Sequence, residues 1–234
     1  VCSIVVFCKQ KTAYDVTFRD WISDVCSSDR LKVLNTKDGG RIMASNGRGL
    51  CAVGIVQRIS KTDYFIKLTD FLENFGERSS SLGLALSILD SRERFEFAIE
   101  KAVELGATNI YPLVTKYTQK KHTDMERIKS KCVAALKQCR RARMPEISNP
   151  LNIDDLCIEI GKYQSRLVMD ENGSKIDKGT IFQDTVVIIG PEGGFAGFEI
   201  EKLQDHGAMP INLGKRRLRA ETAAIVALSF FSLV

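Results

Sequence analysis

The chain has 234 residues, 44% of them hydrophobic, and a formal net charge of +5. That is room for one large domain, or for a catalytic domain with a small companion, and enough apolar matter to bury a core. No run of about 18 apolar residues occurs, which argues against a membrane-spanning helix. Seven cysteines without a Cys-x-x-Cys pair, beside only two histidines, argue against a structural zinc site. An odd number of scattered cysteines in a chain this long reads as reduced, cytosolic thiols, mostly buried. Basic residues gather between Lys116 and Arg143 and again between Lys215 and Arg219, which suits a polyanion such as nucleic acid. A solvated, lysine-rich helix face is the competing reading of the first cluster.

Residues 1–30 differ in texture from the rest. They hold Cys2, Cys8 and Cys26, show no steady period after a short apolar stretch at residues 1–7, and read as an atypical, non-native segment. From Leu31 the pattern is that of β structure. Residues 41–44 and 50–56 alternate around the turn Ser45-Asn46-Gly47-Arg48-Gly49, and residues 64–68 make a third strand. Residues 31–72 are thus a small β domain, and the polar stretch 73–81 reads as a linker.

Residues 82–234 alternate strand and helix. Strands are expected at 82–89, 110–114, 166–169, 186–189 and 209–213. Residues 93–105 predict a helix with Phe95, Ile99, Ala102 and Val103 on one face, acids in its first turn and Gly106 as its C-cap. Residues 124–143 predict one long helix bearing Arg127, Lys129, Lys131, Lys137, Arg140, Arg141 and Arg143, halted before Pro145. Such alternation argues for a mostly parallel α/β sheet covered on both faces. The last helix, 220–233, is apolar nearly all round, so it is buried either within the domain or against a partner subunit.

Two loops carry the chemistry. The apolar run Val186-Val187-Ile188-Ile189 leads into Gly190-Pro191-Glu192-Gly193-Gly194, in which proline stiffens the turn and glycine lets the backbone approach a ligand. It is neither a Walker loop nor the dinucleotide fingerprint. The second loop follows Leu213: Gly214, four cations in five residues (Lys215, Arg216, Arg217, Arg219), then Glu221-Thr222 opening an apolar helix. The cations suit phosphate or carboxylate, arginine bidentately, and Glu221 suits a helix N-terminus. Both loops should lie beyond the carboxyl ends of parallel strands, where open α/β sheets bind ligands. Arg140, Arg141, Arg143 and Arg216 are candidate RNA contacts, whereas His122 and His206 are assigned no chemistry.

The sequence Ile189-Gly190-Pro191-Glu192-Gly193-Gly194-Phe195 with Glu199, followed by Leu213-Gly214-x-Arg216-x-Leu218-Arg219-Ala220-Glu221-Thr222-Ala223, closely resembles the RsmE family. These are SPOUT-class methyltransferases acting on uridine N3 of 16S ribosomal RNA. The resemblance continues upstream through Lys101-Ala102-Val103-Glu104-Leu105-Gly106, Pro112-Leu113 and Gln138-x-x-Arg141-x-x-x-Pro145, and covers the chain from about Leu31 to its end. It implies an N-terminal PUA-like β-barrel, a C-terminal parallel sheet with a deep trefoil knot, a homodimer, and S-adenosylmethionine as methyl donor. The donor would be held by Ile189, Gly190, Pro191, Glu192, Gly193 and Gly194 and by Leu213, Gly214, Leu218, Arg219, Ala220 and Thr222. The polar actors would be Glu192, Arg219 and Glu221, with Arg219 stabilising an anionic ring and the base left open between Glu192, Glu221 and solvent. No metal is implied, and the partner is the small ribosomal subunit.

Three departures from the family pattern stand out. Arg217 replaces an apolar residue, Lys116-Tyr117 replaces an acidic-arginine pair, and the barrel's first strands are missing, which leaves that domain incomplete. The alternative function is a non-catalytic RNA-binding protein on the same fold, and donor binding separates the two.

Overall fold

The computed structural model describes residues 4–7, 38–58, 64–175 and 184–232. They divide into two compact units. One takes the described residues up to Glu77 together with Leu136–Met144, and the other takes Arg78–Ala135 and the described residues from Pro145 on. No helix of the described residues is long and apolar enough to cross a membrane.

The first unit is a four-stranded sheet, ordered β1 (Ile4–Phe7), β2 (Arg41–Ser45), β3 (Leu50–Arg58), β4 (Tyr64–Glu73). β2, β3 and β4 form an antiparallel meander, and β1 pairs with β2 in parallel. The expected turn joins β2 to β3. Asn46 Oδ1 accepts from the Arg48 and Leu50 amides at 2.8 and 3.1 Å, while Gly47 and Gly49 take positive φ. β4 runs on to Glu73, past the expected end at Leu68, because β3 offers it a ladder as far as Leu50. A small core of Met43, Cys51 and Ala142 is flanked by Val53 and Leu72. The rest of the atypical segment, residues 1–3 and 8–30, lies outside the described residues.

The second unit is a six-stranded, all-parallel sheet in the order β10 (Ala208–Asn212), β8 (Ser165–Lys175), β9 (Thr185–Ile189), β5 (Leu82–Ser87), β6 (Asn109–Leu113), β7 (Glu146–Ile147). β5, β6 and β9 are buried at every residue, the signature of strands covered on both faces, and β-branched side chains favour that pleated setting. Helix α1 (Arg92–Glu104) starts at Ser91, whose hydroxyl accepts from the Arg94 amide. It buries Phe95, Ala98, Ile99, Ala102 and Val103 along one stripe, and ends just before Gly106 at φ 90. Burying Phe95 alone is worth about 1.5–3 kcal/mol.

The long basic helix is shorter than expected. α2 (Met125–Cys139) stops where Arg140 turns to φ 60, four residues before Met144. Within the first unit, the Ala142 amide donates to Phe75 O, the Met144 amide to Gly47 O, and the Arg141 guanidinium to Glu77. These bonds replace the helical ladder, so the stop is tertiary rather than the work of Pro145. A short helix, α3 (Ile153–Glu159), was not anticipated; Asn152 caps it by accepting from the Asp155 amide.

From central β9 the chain passes through α4 (Gly197–Asp205) to the sheet edge at β10, crossing over β8. It then returns as α5 (Ala220–Ser232), which packs on α1, β9 and β5. Leu233, at the expected end of that helix, lies outside the described residues. Much of the apolar surface of α5 is therefore buried within its own unit, leaving a partly exposed face at Thr222, Val226 and Phe230.

Candidate functional site

The carboxyl ends of β8, β9 and β10 open on a cleft of about 560 Å³, a size suited to a small-molecule ligand. Three segments line it: residues 169–172 within β8, 189–195 from the end of β9 onward, and 211–214 with 216–220 from the end of β10 to the start of α5. After β9, the Gly194 amide donates to Pro191 O at 2.9 Å, closing a tight turn with Gly194 at φ 74. A Cβ on Gly190 would meet Gly194 C and the Phe195 ring at 3.1 Å, so a side chain there would fill the turn. After β10, Asn212 Oδ1 accepts from the Gly214 amide at 2.7 Å, and Gly214 sits at φ 130. The register between β8 and β10 jumps from Val168 opposite Pro210 to Ser174 opposite Ile211, so residues 169–173 loop out toward the cleft. At that crossing Gly173 lies against the backbone of Pro210 and Ile211.

One wall of the cleft is an arginine held between two carboxylates. Arg94 Nη2 lies 2.9 Å from Glu192 Oε1, and its Nη1 lies 3.7 Å from Glu221 Oε2. The Asp90 amide also donates to Glu192 Oε1, at 3.2 Å. Glu221 is 8% exposed, and its Oε2 has no hydrogen-bond partner. Arg94 and Glu192 are about a third exposed, and an ion pair so open to water contributes at most about 1 kcal/mol to stability. Its consequence is positional: Glu192 is fixed at the tip of the glycine turn.

Beyond Arg94, Glu192 and Gly193 lies a second recess of about 360 Å³, completed by Asp90, Tyr117 and Gln119. The turn carrying Tyr117 is pinned from below. Buried Thr115 and Thr118 join hydroxyls at 2.9 Å, and the Thr118 hydroxyl accepts from the Thr115 amide at 2.9 Å. Buried Glu199, at the third position of α4, accepts from the Ala196 amide at the helix start and from the Lys116 amide, both at 2.8 Å. Glu199 thus ties the tyrosine turn to the segment that follows the glycine loop. Lys116 Nζ stands 5.5 Å from the centroids of both the Tyr117 and Phe198 rings.

Most of the residues singled out from sequence come together here. Ile189, Gly190, Pro191, Glu192, Gly193 and Gly194 line the cleft, as do Leu213, Gly214, Arg216, Leu218, Arg219 and Ala220. Thr222 does not: it is exposed on α5 away from the cleft lining. Glu221 does not border the cleft either, being buried beside Arg94. Of the arginines offered to RNA, Arg140 and Arg143 are exposed, but Arg141 is buried and paired with Glu77 at 2.8 Å, which removes it from any phosphate. Arg127 and Lys131 on α2 face buried Glu96, so part of the basic helix is neutralised within the molecule.

Sequence reasoning passed over Arg94, Tyr117 as a wall, Gln119, and the acidic segment Asp170-Glu171-Asn172. The last had a usable signal, because it directly follows the strand expected at 166–169, and ligands bind beyond the carboxyl ends of such strands.

The sequence profile of the RNA methyltransferase domain matches residues 77–232. A ribosomal RNA small subunit methyltransferase E from Mesomycoplasma hyopneumoniae is 37% identical over 169 residues, covering 70% of this chain and 74% of that protein. The protein of the same name from Rickettsia conorii is 31% identical over 209 residues, covering 86% and 81%. A Legionella pneumophila structure containing bound S-adenosylmethionine superposes with TM-score 0.78 at 28% identity, over 98% of this chain and 96% of that one. The Neisseria gonorrhoeae methyltransferase E structure, at 22% identity and TM-score 0.80 over 97% and 96%, has the same fold. On these matches the chain belongs to the RNA methyltransferase domain family, among the ribosomal RNA small subunit methyltransferase E proteins.

Proposed function

We infer that this protein transfers a methyl group from S-adenosylmethionine to small-subunit (16S) ribosomal RNA, at N3 of a uridine. The observation that carries the reading is the convergence of both sequence loops on one cleft at the carboxyl edge of the sheet. The cleft fits the donor: it has no room for a Cβ at Gly190, Asp170, Glu171 and Glu192 offer carboxylates to its cationic groups, and Arg94, Arg216, Arg217 and Arg219 offer guanidiniums to its carboxylate. Residues 189–194 and Leu213, Gly214, Leu218, Arg219 and Ala220 would hold it. S-adenosylmethionine supplies an electrophilic methyl group on a cationic sulfur.

The protein's own part is positional and electrostatic. Uracil N3 must give up a weakly acidic imide proton, and Arg219, exposed on the cleft wall, stabilises the resulting anionic ring. Glu192 borders both cavities and is the carboxylate placed to take the proton or pass it to solvent. Glu221 acts through Arg94, which it faces from the buried side. The trefoil knot expected of SPOUT enzymes finds support in the crossing of Gly173 with β10 and in the return of α5 onto β9. The meander β2–β4 supports a PUA-like domain for the first unit. The partly exposed face of α5 supports a homodimer, and the buried thiols of Cys51 and Cys157 support work in a reducing cytoplasm.

The test pairs a calorimetric titration with S-adenosylhomocysteine and methyl transfer to small subunits isolated without the modification, with 3-methyluridine read by nucleoside mass spectrometry. Saturable binding and formation of 3-methyluridine are expected. Arg219→Ala should abolish transfer in a folded protein. Binding without any RNA methylation would refute the enzymatic reading, and methylation at another atom would refute the N3 assignment.

A further inference from the structure

We propose that the recess bounded by Asp90, Arg94, Tyr117, Gln119, Glu192 and Gly193 is the subsite for the acceptor base, with the Tyr117 ring as the face on which a flipped-out pyrimidine of the RNA stacks. This rests on the reading of the chain as an RNA methyltransferase and names where the substrate enters.

Three observations carry it. The recess shares Arg94, Glu192 and Gly193 with the donor cleft, so the two cavities adjoin there and a ring lodged in the recess lies beside the donor. Methyl transfer requires this juxtaposition, and a base inside a helix cannot provide it without leaving the stack. Tyr117 is also 42% exposed on a turn that is otherwise rigid, held by the Thr115–Thr118 pair and by Glu199. Its Cβ packs against Gly193, where an added Cβ would come within 3.2 Å. An exposed aromatic ring held this firmly is a stacking platform that binding does not have to order first. The surroundings, finally, suit a nucleotide. Lys116 lies between the Tyr117 and Phe198 rings, Phe198 being 57% exposed, and Lys120 stands 3.5 Å from Asp90 on the rim. These cations suit flanking phosphates, while the Gln119 side-chain amide brings both a donor and an acceptor to the base edge.

The test uses the full chain with Tyr117→Phe and Tyr117→Leu, measuring kcat and KM on unmodified small subunits and S-adenosylhomocysteine affinity for each. Loss of the aromatic face should lower kcat/KM about 5- to 150-fold in Tyr117→Leu, chiefly through KM, while Tyr117→Phe stays within about twofold. Donor affinity should be the same in all three. Tyr117→Leu with wild-type kcat/KM overturns the proposal, as does a fall in donor affinity that tracks the fall in activity, since Tyr117 would then only support the Gly193 turn. In wild-type protein, subunits carrying 4-thiouridine should photocrosslink the methylated nucleotide to the peptide containing Tyr117. A crosslink from that nucleotide only to peptides outside the recess overturns it too. A wild-type protein that binds no S-adenosylhomocysteine and methylates nothing instead refutes the underlying reading, and the subsite with it.

Discussion

Replacing Gly173 by alanine tests the crossing on which the donor cleft depends. An added Cβ would stand 2.5 Å from Ile211 N and Pro210 C and 2.7 Å from Ile211 C, all backbone atoms of β10. A comfortable contact needs about 3.5 Å, so one of the two segments must retreat by about 1 Å. Overpacking of this kind costs about 1–3 kcal/mol. At about 2–4 °C per kcal/mol for a chain of this size, Tm should fall by about 2–12 °C. The retreat also carries Ile211, Asn212 and Leu213 away from the cleft they line, so S-adenosylhomocysteine should bind more weakly. Methyl transfer should fall by as much as about 100-fold, the scale of a 1 Å misplacement. Differential scanning calorimetry and isothermal titration report the two effects. Gly197→Ala is the control: it opens α4, has no atom within 4 Å of the added Cβ, and needs no left-handed backbone. It should leave binding unchanged and raise stability by about 0.4–1 kcal/mol. Wild-type Tm and wild-type donor affinity in Gly173→Ala would refute the close crossing.

Other substitutions probe separate parts of the molecule. Arg94→Met should lower kcat about 10- to 100-fold while KM for the small subunit moves little, because Glu192 loses its hold; Arg94→Lys should restore part of the rate, and an unchanged rate in Arg94→Met would remove the positioning role. Arg141→Met leaves buried Glu77 without its guanidinium, only 5% of that side chain being exposed, and should cost about 3–5 kcal/mol in urea denaturation; Arg141→Met with Glu77→Leu should recover much of the loss. The Tyr163 phenol is pushed far above its ordinary value by burial first and then by its hydrogen bond with Tyr111. Because the folded value is the raised one, this stability is complete below about pH 10 and falls as pH rises, by up to about 1.4 kcal/mol per unit. Tyr163→Phe should flatten that alkaline limb, and an equally steep limb in the variant would show that another group sets it.

The parallel sheet and the two glycine-bearing loops that line the cleft were legible because each rests on local chemistry. Val186-Val187-Ile188-Ile189 fixes a buried strand, Gly190 announces a turn that a side chain would obstruct, and Gly194 supplies the positive φ that the turn needs. The resemblance then supplied what composition could not, namely the methyl donor. What stayed hidden depends on residues far apart in the chain. Arg94 and Glu192 are separated by 98 positions, and nothing in the pattern around Arg94 marks it as more than a solvated cation in a first turn. The end of α2 failed for the same reason. Arg140, Arg141, Ala142 and Arg143 are good helix formers, yet Arg140 turns to positive φ and Arg141, Ala142 and Arg143 bond to Phe75 and Glu77 instead. Local propensity loses there to contacts that no window around residue 140 contains.

The arrangement around Arg94 also explains why two motif glutamates so alike in sequence must differ in role. Glu192 stands at an exposed turn, borders both cavities and receives two hydrogen bonds on one oxygen, from Arg94 and from the Asp90 amide. The second oxygen is not engaged in either contact. Glu221 sits in the first turn of α5 with an oxygen that is buried and makes no hydrogen bond, at 3.7 Å from the same guanidinium. An unpaired buried carboxylate is costly, so Glu221 depends on Arg94 remaining in place, and Arg94 in turn holds Glu192. The chain of dependence runs from the buried end outward: helix α5 fixes Glu221, Glu221 draws Arg94 inward, and Arg94 sets the exposed carboxylate at the boundary between donor and acceptor. On this geometry Glu221→Gln should resemble a mild form of Arg94→Met, lowering kcat and sparing donor affinity, whereas Glu192→Gln should remove the proton-accepting group itself. Equal and severe losses in both variants would mean that the two glutamates act together on the base and that Glu221 reaches the substrate.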